Sequence, residues 1–144
     1  YYSEAIQIAD DLLPWGMEVV EIEHSNSRHY YNSNSLYFDF NKIFVLLDEN
    51  SAYYSEMIAL TLKENLGDRV ELVGKSTKGG DIGLIYKSYY NKIGINIASL
   101  KWRVKGKGSS EIKKYITDYK DIKLDNLKDY INVIQNLKMA EKKL

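Results

Sequence analysis

The stretch Asp48-Glu49-Asn50-Ser51-Ala52-Tyr53-Tyr54-Ser55-Glu56 gathers hydroxyls and carboxylates at the point where an apolar run hands the chain to the first turn of a helix. Free backbone amides and the positive end of a helix dipole at such a junction stabilise an oxyanion, so the chemistry it suits is attack on a carbonyl by a nucleophile on the same turn. Ser51 and Ser55 are hydroxyl candidates, yet a cap or turn role for Ser51 and a small packed residue at Ser55 explain both more simply. A second loop, Val73 to Gly80 (VGKSTKGG), follows the next apolar run and places Lys75 and Lys78 where a base would be wanted. Solvated lysines are the simpler reading. If the two runs are parallel strands, both loops leave the same edge of the sheet and become neighbours.

Other chemistries find little support. His24 and His29, the only histidines, lie in or beside a polar Ser- and Asn-rich stretch and read as surface residues, and with 0 cysteines no zinc-ligand spacing is present. Gly79, Gly80 and Gly83 fit neither a P-loop nor a dinucleotide fingerprint, so turn geometry accounts for them and no cofactor is expected. A formal net charge of +0 leaves no broad basic field for nucleic acid. The basic run Lys101 to Lys107, with Trp102 inside it, reads as a strand end and turn. No apolar run reaches the ~20 residues of a membrane-spanning helix. Six of the 13 tyrosines cluster as pairs at 30–31, 53–54 and 89–90, where they could line a peptide groove or equally a half-buried sheet face.

The elements that must position these residues follow from periodicity. Ser3 is expected to cap a first helix whose stripe is Ala5, Ile8, Ala9 and Leu12, stopped by Pro14 and Gly16. Met17 to Glu23 alternates as a half-exposed strand, with Val20 and Ile22 on one face and Glu21 and Glu23 on the other. Ser25 to Ser35 reads as a surface hairpin or loop before a short strand at Leu36 to Phe40. Ile43 to Leu47 (IFVLL) reads as a central strand covered on both faces. Asn50 or Ser51 is expected to cap the next helix, in which Tyr54, Ile58, Leu62 and Leu66 form an i, i+4 ladder ending at Gly67. Arg69 to Gly74 returns as a strand, completing a parallel strand-helix-strand unit. Leu84 to Tyr90 and Ile93 to Val104, joined at Asn91-Lys92, predict a hairpin. A last helix starts near Asp125, with Leu127, Tyr130, Ile131, Ile134 and Leu137 as its buried face.

Three of these segments, in this order and spacing, resemble the tail-specific or C-terminal-processing serine peptidases. AIQIADDLLPWG (Ala5 to Gly16) resembles the family's helix and "flp-G" turn, IFVLLDENSAYYSEMIALTLKEN (Ile43 to Asn65) its "vvLvne-SASASEilAgaL-dn" segment, and RVELVGKSTKGG (Arg69 to Gly80) its "raxlvGexTfGKG" loop. The resemblance places the nucleophilic serine three residues before Glu56, where this chain has Tyr53. It places the general-base lysine of one branch on Gly80 and that lysine's supporting glutamine on Leu84. A second branch, typified by the nisin-resistance protein, takes its base from an upstream histidine, and its "TASSAEM" is similar to Ser51-Ala52-Tyr53-Tyr54-Ser55-Glu56-Met57. The resemblance further implies that the amide of Tyr54 serves the oxyanion, and that Tyr53, Tyr54, Gly74, Thr77, Lys78 and Gly79 contact substrate. A phenol oxygen sits several ångströms beyond a serine hydroxyl, a misplacement far larger than the ~1 Å that already impairs catalysis.

The expected fold is therefore α/β of the crotonase and Clp-protease kind, with a parallel central sheet, flanking helices and a β-hairpin. Residues 1–144 are expected to form the C-terminal part of a single domain whose N-terminal part lies outside this sequence. The expected function is that of a degenerate serine peptidase, without intact catalytic residues, that binds extended peptide or protein C-terminal segments. The alternatives are an active serine endopeptidase completed by residues outside the chain, and a purely structural or assembly domain. An extracytoplasmic or cell-surface location follows from the resemblance alone.

Overall fold

In a computed structural model, residues 2–90, 93–118 and 126–141 are described. Helix α1 spans Tyr2–Asp11. Its buried positions are Ala5, Ala9 and Asp10, with Leu13 fully buried just beyond its end, whereas Ile8 is 51% exposed. Ser3 lies inside the helix and donates to Glu4 rather than capping. Strand β1 (Glu18–His24) pairs antiparallel with β2 (Ser27–Asn32), making a tight hairpin of the polar stretch. The half-exposed pattern expected for β1 gives way to four consecutive buried residues, Val19 to Ile22. Glu21 tolerates this because Arg28 on the partner strand lies 3.4 Å from its carboxylate.

No strand forms at Leu36 to Phe40. The chain here is tied to α1 instead: Asp10 accepts from the amides of the preceding Asn34 and Ser35, and Phe38 N–H donates to the carbonyl of Asp11. With those amides turned inward, Leu36 and Phe38 stand in solvent.

The strand-helix-strand unit is as expected. β3 (Ile43–Leu47) and β4 (Val70–Gly74) run parallel, with α2 (Tyr54–Leu66) between them in sequence. Strand β4, not β3, occupies the middle of this sheet, because β7 (Ile116–Asp118) joins it on the far side and leaves β3 at the edge among the described residues. Both faces of β3 are nonetheless covered. Ile43, Val45 and Leu47 belong to the main core with α2, while Phe44 and Leu46 meet Tyr130 and Val133 of α3 (Leu127–Glu141). On α3 the buried side chains are Tyr130 and Val133, whereas Leu127 and Ile131 are 64% and 43% exposed. The side chain of Leu137 lies outside the described ones.

A second, antiparallel sheet has the order β2-β1-β6-β5. Its long hairpin, β5 (Ile82–Tyr89) and β6 (Ile93–Arg103), bears out the expected pairing, and its Asn91-Lys92 connection lies outside the described residues. Trp102 and Leu100 at the base of β6 enter the main core, which α2 fills with Met57, Leu60 and Leu62. After β6 the chain turns at Val104 to Lys107 and forms a 3-10 segment at Ser109–Lys114. The basic run is thus a strand end and turn, with Lys101 facing Asp81 and Lys107 facing Glu64.

Candidate active site at the start of α2

Parallel pairing of β3 with β4 brings their two following loops side by side, and the backbone ties them together. Lys75 N–H donates to the carbonyl of Leu47 at 3.0 Å, and Lys78 N–H donates to that of Ser51 at 3.0 Å. The close approach requires glycine at Gly74, where φ is +135° and a Cβ would lie 1.9 Å from the carbonyl oxygen of Leu47.

Neither Asn50 nor Ser51 caps α2. Their amides, and the Ser51 hydroxyl, instead donate to Oδ1 of Asp48, closing a turn ahead of the helix. The Ser51 hydroxyl bond, foremost among several, holds the Asp48 carboxyl below the usual carboxylate range. The residue that begins the helix is Tyr53, with φ 53° and ψ −106°. For a bulky side chain this is a strained conformation, of the kind that costs about 1–3 kcal/mol and persists only where surrounding contacts enforce it.

Glu56 supplies that enforcement. Fully buried, it accepts from Tyr53 N–H at 2.9 Å through Oε2, and from the Thr77 hydroxyl at 2.6 Å and Gly79 N–H at 3.1 Å through Oε1. One carboxylate thereby fixes both the helix start and the glycine loop. From the opposite side the buried Ser109 hydroxyl accepts Gly80 N–H at 3.0 Å. Gly79 and Gly80 take φ values of +85° and +145°, which favour glycine.

The positions singled out from the sequence are brought together here. The Tyr53 ring lies on Gly80: a Cβ built there would stand 2.9 Å from both Cδ1 and Cε1 of the ring. Tyr54 follows in the first turn, its phenol oxygen close to Gly83, and burial raises its pKa above that of an ordinary tyrosine. The Thr77 hydroxyl is occupied by Glu56, while Lys78 is exposed. Leu84 stands on β5 at 46% exposure.

Both neighbouring serine hydroxyls are engaged in local hydrogen bonds. Ser51 donates to Asp48, and Ser55, exposed rather than packed as expected, donates to the carbonyl of Ala52 at 2.7 Å. Lys75 is paired with Glu49 at 3.4 Å. His24 and His29 sit on the β1–β2 hairpin with their rings 6.0 Å apart, away from this loop pair in sequence and sheet. No group of three or more His, Asp or Glu residues that could hold a metal occurs among the described residues. Beside the junction a cavity of about 290 Å³ opens between Asp48, Ser51 and the start of α3 at Asn126 and Tyr130.

Two parts of this arrangement escaped the sequence reading. Glu56 is one, because its partners Thr77 and Gly79 lie 21 and 23 residues away and no local pattern marks them. Ser109 carries no local signal at all.

Comparison with known proteins follows the same lines. The profile of peptidase family S41 matches residues 1–123. Among solved structures, the photosystem II D1 C-terminal processing protease superposes with a TM-score of 0.65 at 19% identity, covering 87% of this chain and 33% of its own. A Bacteroides fragilis protein described as an S41 protease gives a TM-score of 0.65 at 14% identity, covering 76% of this chain and 31% of its own. The chain thus spans about a third of the length of each. A comparison with curated protein sequences returns no match. Both structural neighbours bear out the expected α/β fold of the crotonase and Clp-protease kind, which here comprises a parallel and an antiparallel sheet.

Proposed function

Because the chain belongs to peptidase family S41, we propose that it is a peptidase-like domain without hydrolytic activity, which binds extended peptide or protein C-terminal segments. The observation that carries this reading is the side chain offered at the helix start. Tyr53 begins the helix in a strained backbone conformation at the position resemblance assigns to the nucleophile, and presents a phenol whose ring rests on Gly80, the position resemblance assigns to a base. Neither attacking alkoxide nor base is available there, and the ring fills the approach to the carbonyl.

What remains suits binding. Strand β5 begins two residues after Gly80 and lies at the edge of its sheet among the described residues. An extended peptide adds to such an edge through main-chain hydrogen bonds, with alternate side chains read by neighbouring pockets. Peptide or protein is the proposed partner, and an extracytoplasmic or cell-surface location is proposed with it.

The test uses the full-length protein, a serine-directed covalent probe and a peptide array. The expected outcome is saturable peptide binding with neither labelling nor cleavage. Covalent labelling, or hydrolysis already present before Tyr53→Ser is introduced, would overturn the inactive reading, and an array without sequence-dependent binding would overturn the binding half.

A further inference from the structure

We infer that the vacated nucleophile and base positions are one lesion rather than two: the ring of Tyr53 occupies the space from which any side chain at position 80 must start. A Cβ at Gly80 would meet Cδ1 and Cε1 of Tyr53 at 2.9 Å, closer than real Cβ contacts come. The contact falls at the first atom of the new side chain, so no choice of rotamer at position 80 avoids it.

Neither backbone is free to withdraw. The loop is held on both flanks, by Gly79 N–H on Glu56 at 3.1 Å and by Gly80 N–H on Ser109 at 3.0 Å. The backbone of Tyr53 is held by its own N–H on Glu56 and by its carbonyl, which accepts Met57 N–H at 3.0 Å. Relief therefore requires the ring to leave its place. A lysine at position 80 requires the ring to turn out of its place or to be removed, and a serine at position 53 removes it. The assignment of roles to the two positions rests on the reading above, whereas the steric exclusion stands on the contact itself.

Gly80 carries a second obstacle, its φ of +145°, which strains any other residue. A thermodynamic cycle separates the two, because the backbone strain is common to both backgrounds and cancels. Thermal unfolding of the full chain is measured as found and with Gly80→Ala, Tyr53→Ser and both. Gly80→Ala is expected to lower Tm by about 5 °C more in the unaltered chain than in the Tyr53→Ser background, the scale of an overpacking contact in a domain of this size. Gly80→Lys should show coupling of the same sign.

Should Tyr53→Ser fold poorly, Tyr53→Gly serves as the second background, since it removes the ring and suits the positive φ. Equal losses in both backgrounds would overturn the inference. Labelling of the unaltered protein by a serine-directed probe would sink the proposed lack of activity instead, and would leave the cycle's answer unchanged.

Discussion

At the start of α2 a single buried carboxylate, Glu56, holds donors from two loops, and a strained tyrosine and two left-handed glycines are kept in place around it. The β5–β6 hairpin is the reverse case. Its ladder is regular apart from one bulge, yet Tyr86, Ile93 and Ile95 are 64%, 61% and 43% exposed, and only its base reaches the core. One region is unusual in backbone and closed in packing, whereas the other is ordinary in backbone and open. The positions that the resemblance assigns to catalysis, Tyr53 and Gly80, lie in the first. The backbone of that junction is held by the hydrogen bonds of Glu56 and Ser109.

The comparison is sharpest where backbone meets backbone. Gly74→Ala drives a Cβ to 1.9 Å from the Leu47 carbonyl oxygen at a φ of +135°, so both steric overlap and backbone strain apply. The expected loss is about 4 kcal/mol or more, read as a fall in the denaturant midpoint or as failure to accumulate soluble chain. A Gly74→Ala protein as stable as the original would show that the two loops are not pinned as described. Glu56→Ala comes next. It leaves the amides of Tyr53 and Gly79 and the hydroxyl of Thr77 without their acceptor in a buried place, an expected loss of about 3 kcal/mol in chemical unfolding. Hydrogen exchange should locate the damage, with the amides of Tyr53 and Gly79 losing protection together.

How legible the two regions were in the sequence divides along the same line. The hairpin and the β3-α2-β4 unit were readable because their signals are local, as in the alternation around Ile93, Ile95 and Ile97 or the run IFVLL. The Leu36 to Phe40 stretch misled because apolar composition says nothing of where backbone amides bond, and those of Phe38 and of the preceding Asn34 and Ser35 bond to the end of α1. Strand β3 read as central since both its faces are apolar, but its neighbours are set by β4 and β7, which its own residues do not encode. At the site the positions Tyr53 and Gly80 stand out through resemblance, whereas their mutual contact does not. It depends on χ angles at Tyr53 and on Glu56 and Ser109 closing the loop, none of which has a sequence signature.

A smaller effect tests the edge of the junction through pH. Asp48 is held below its ordinary pKa chiefly by the Ser51 hydroxyl. A carboxyl depressed in the folded state contributes stability above its unfolded value, about 3.9, and that contribution disappears as pH falls through the folded value. Ser51→Ala should therefore cost roughly 1 kcal/mol near neutrality and less in acid, so that the gap between the two proteins narrows below about pH 4. A gap independent of pH would place the stabilisation of Asp48 elsewhere.

Least should happen in the hairpin, and that smallness is itself informative. Ile95 pairs across the ladder with Lys87 and lies on the same face as Ile93 and Ile97, well beyond the base of β6 where Leu100 and Trp102 enter the core. Ile95→Thr keeps β-branching, and so the strand preference, while removing apolar surface that water already reaches. The expected change is within about 0.5 kcal/mol, measured by chemical unfolding. Aggregation on heating should fall at the same time, since a long edge hairpin with exposed isoleucines invites pairing with other chains. A loss as large as that of Glu56→Ala would mean that this face of the hairpin is buried against something in solution, and the contrast between the closed junction and the open hairpin would have to be withdrawn.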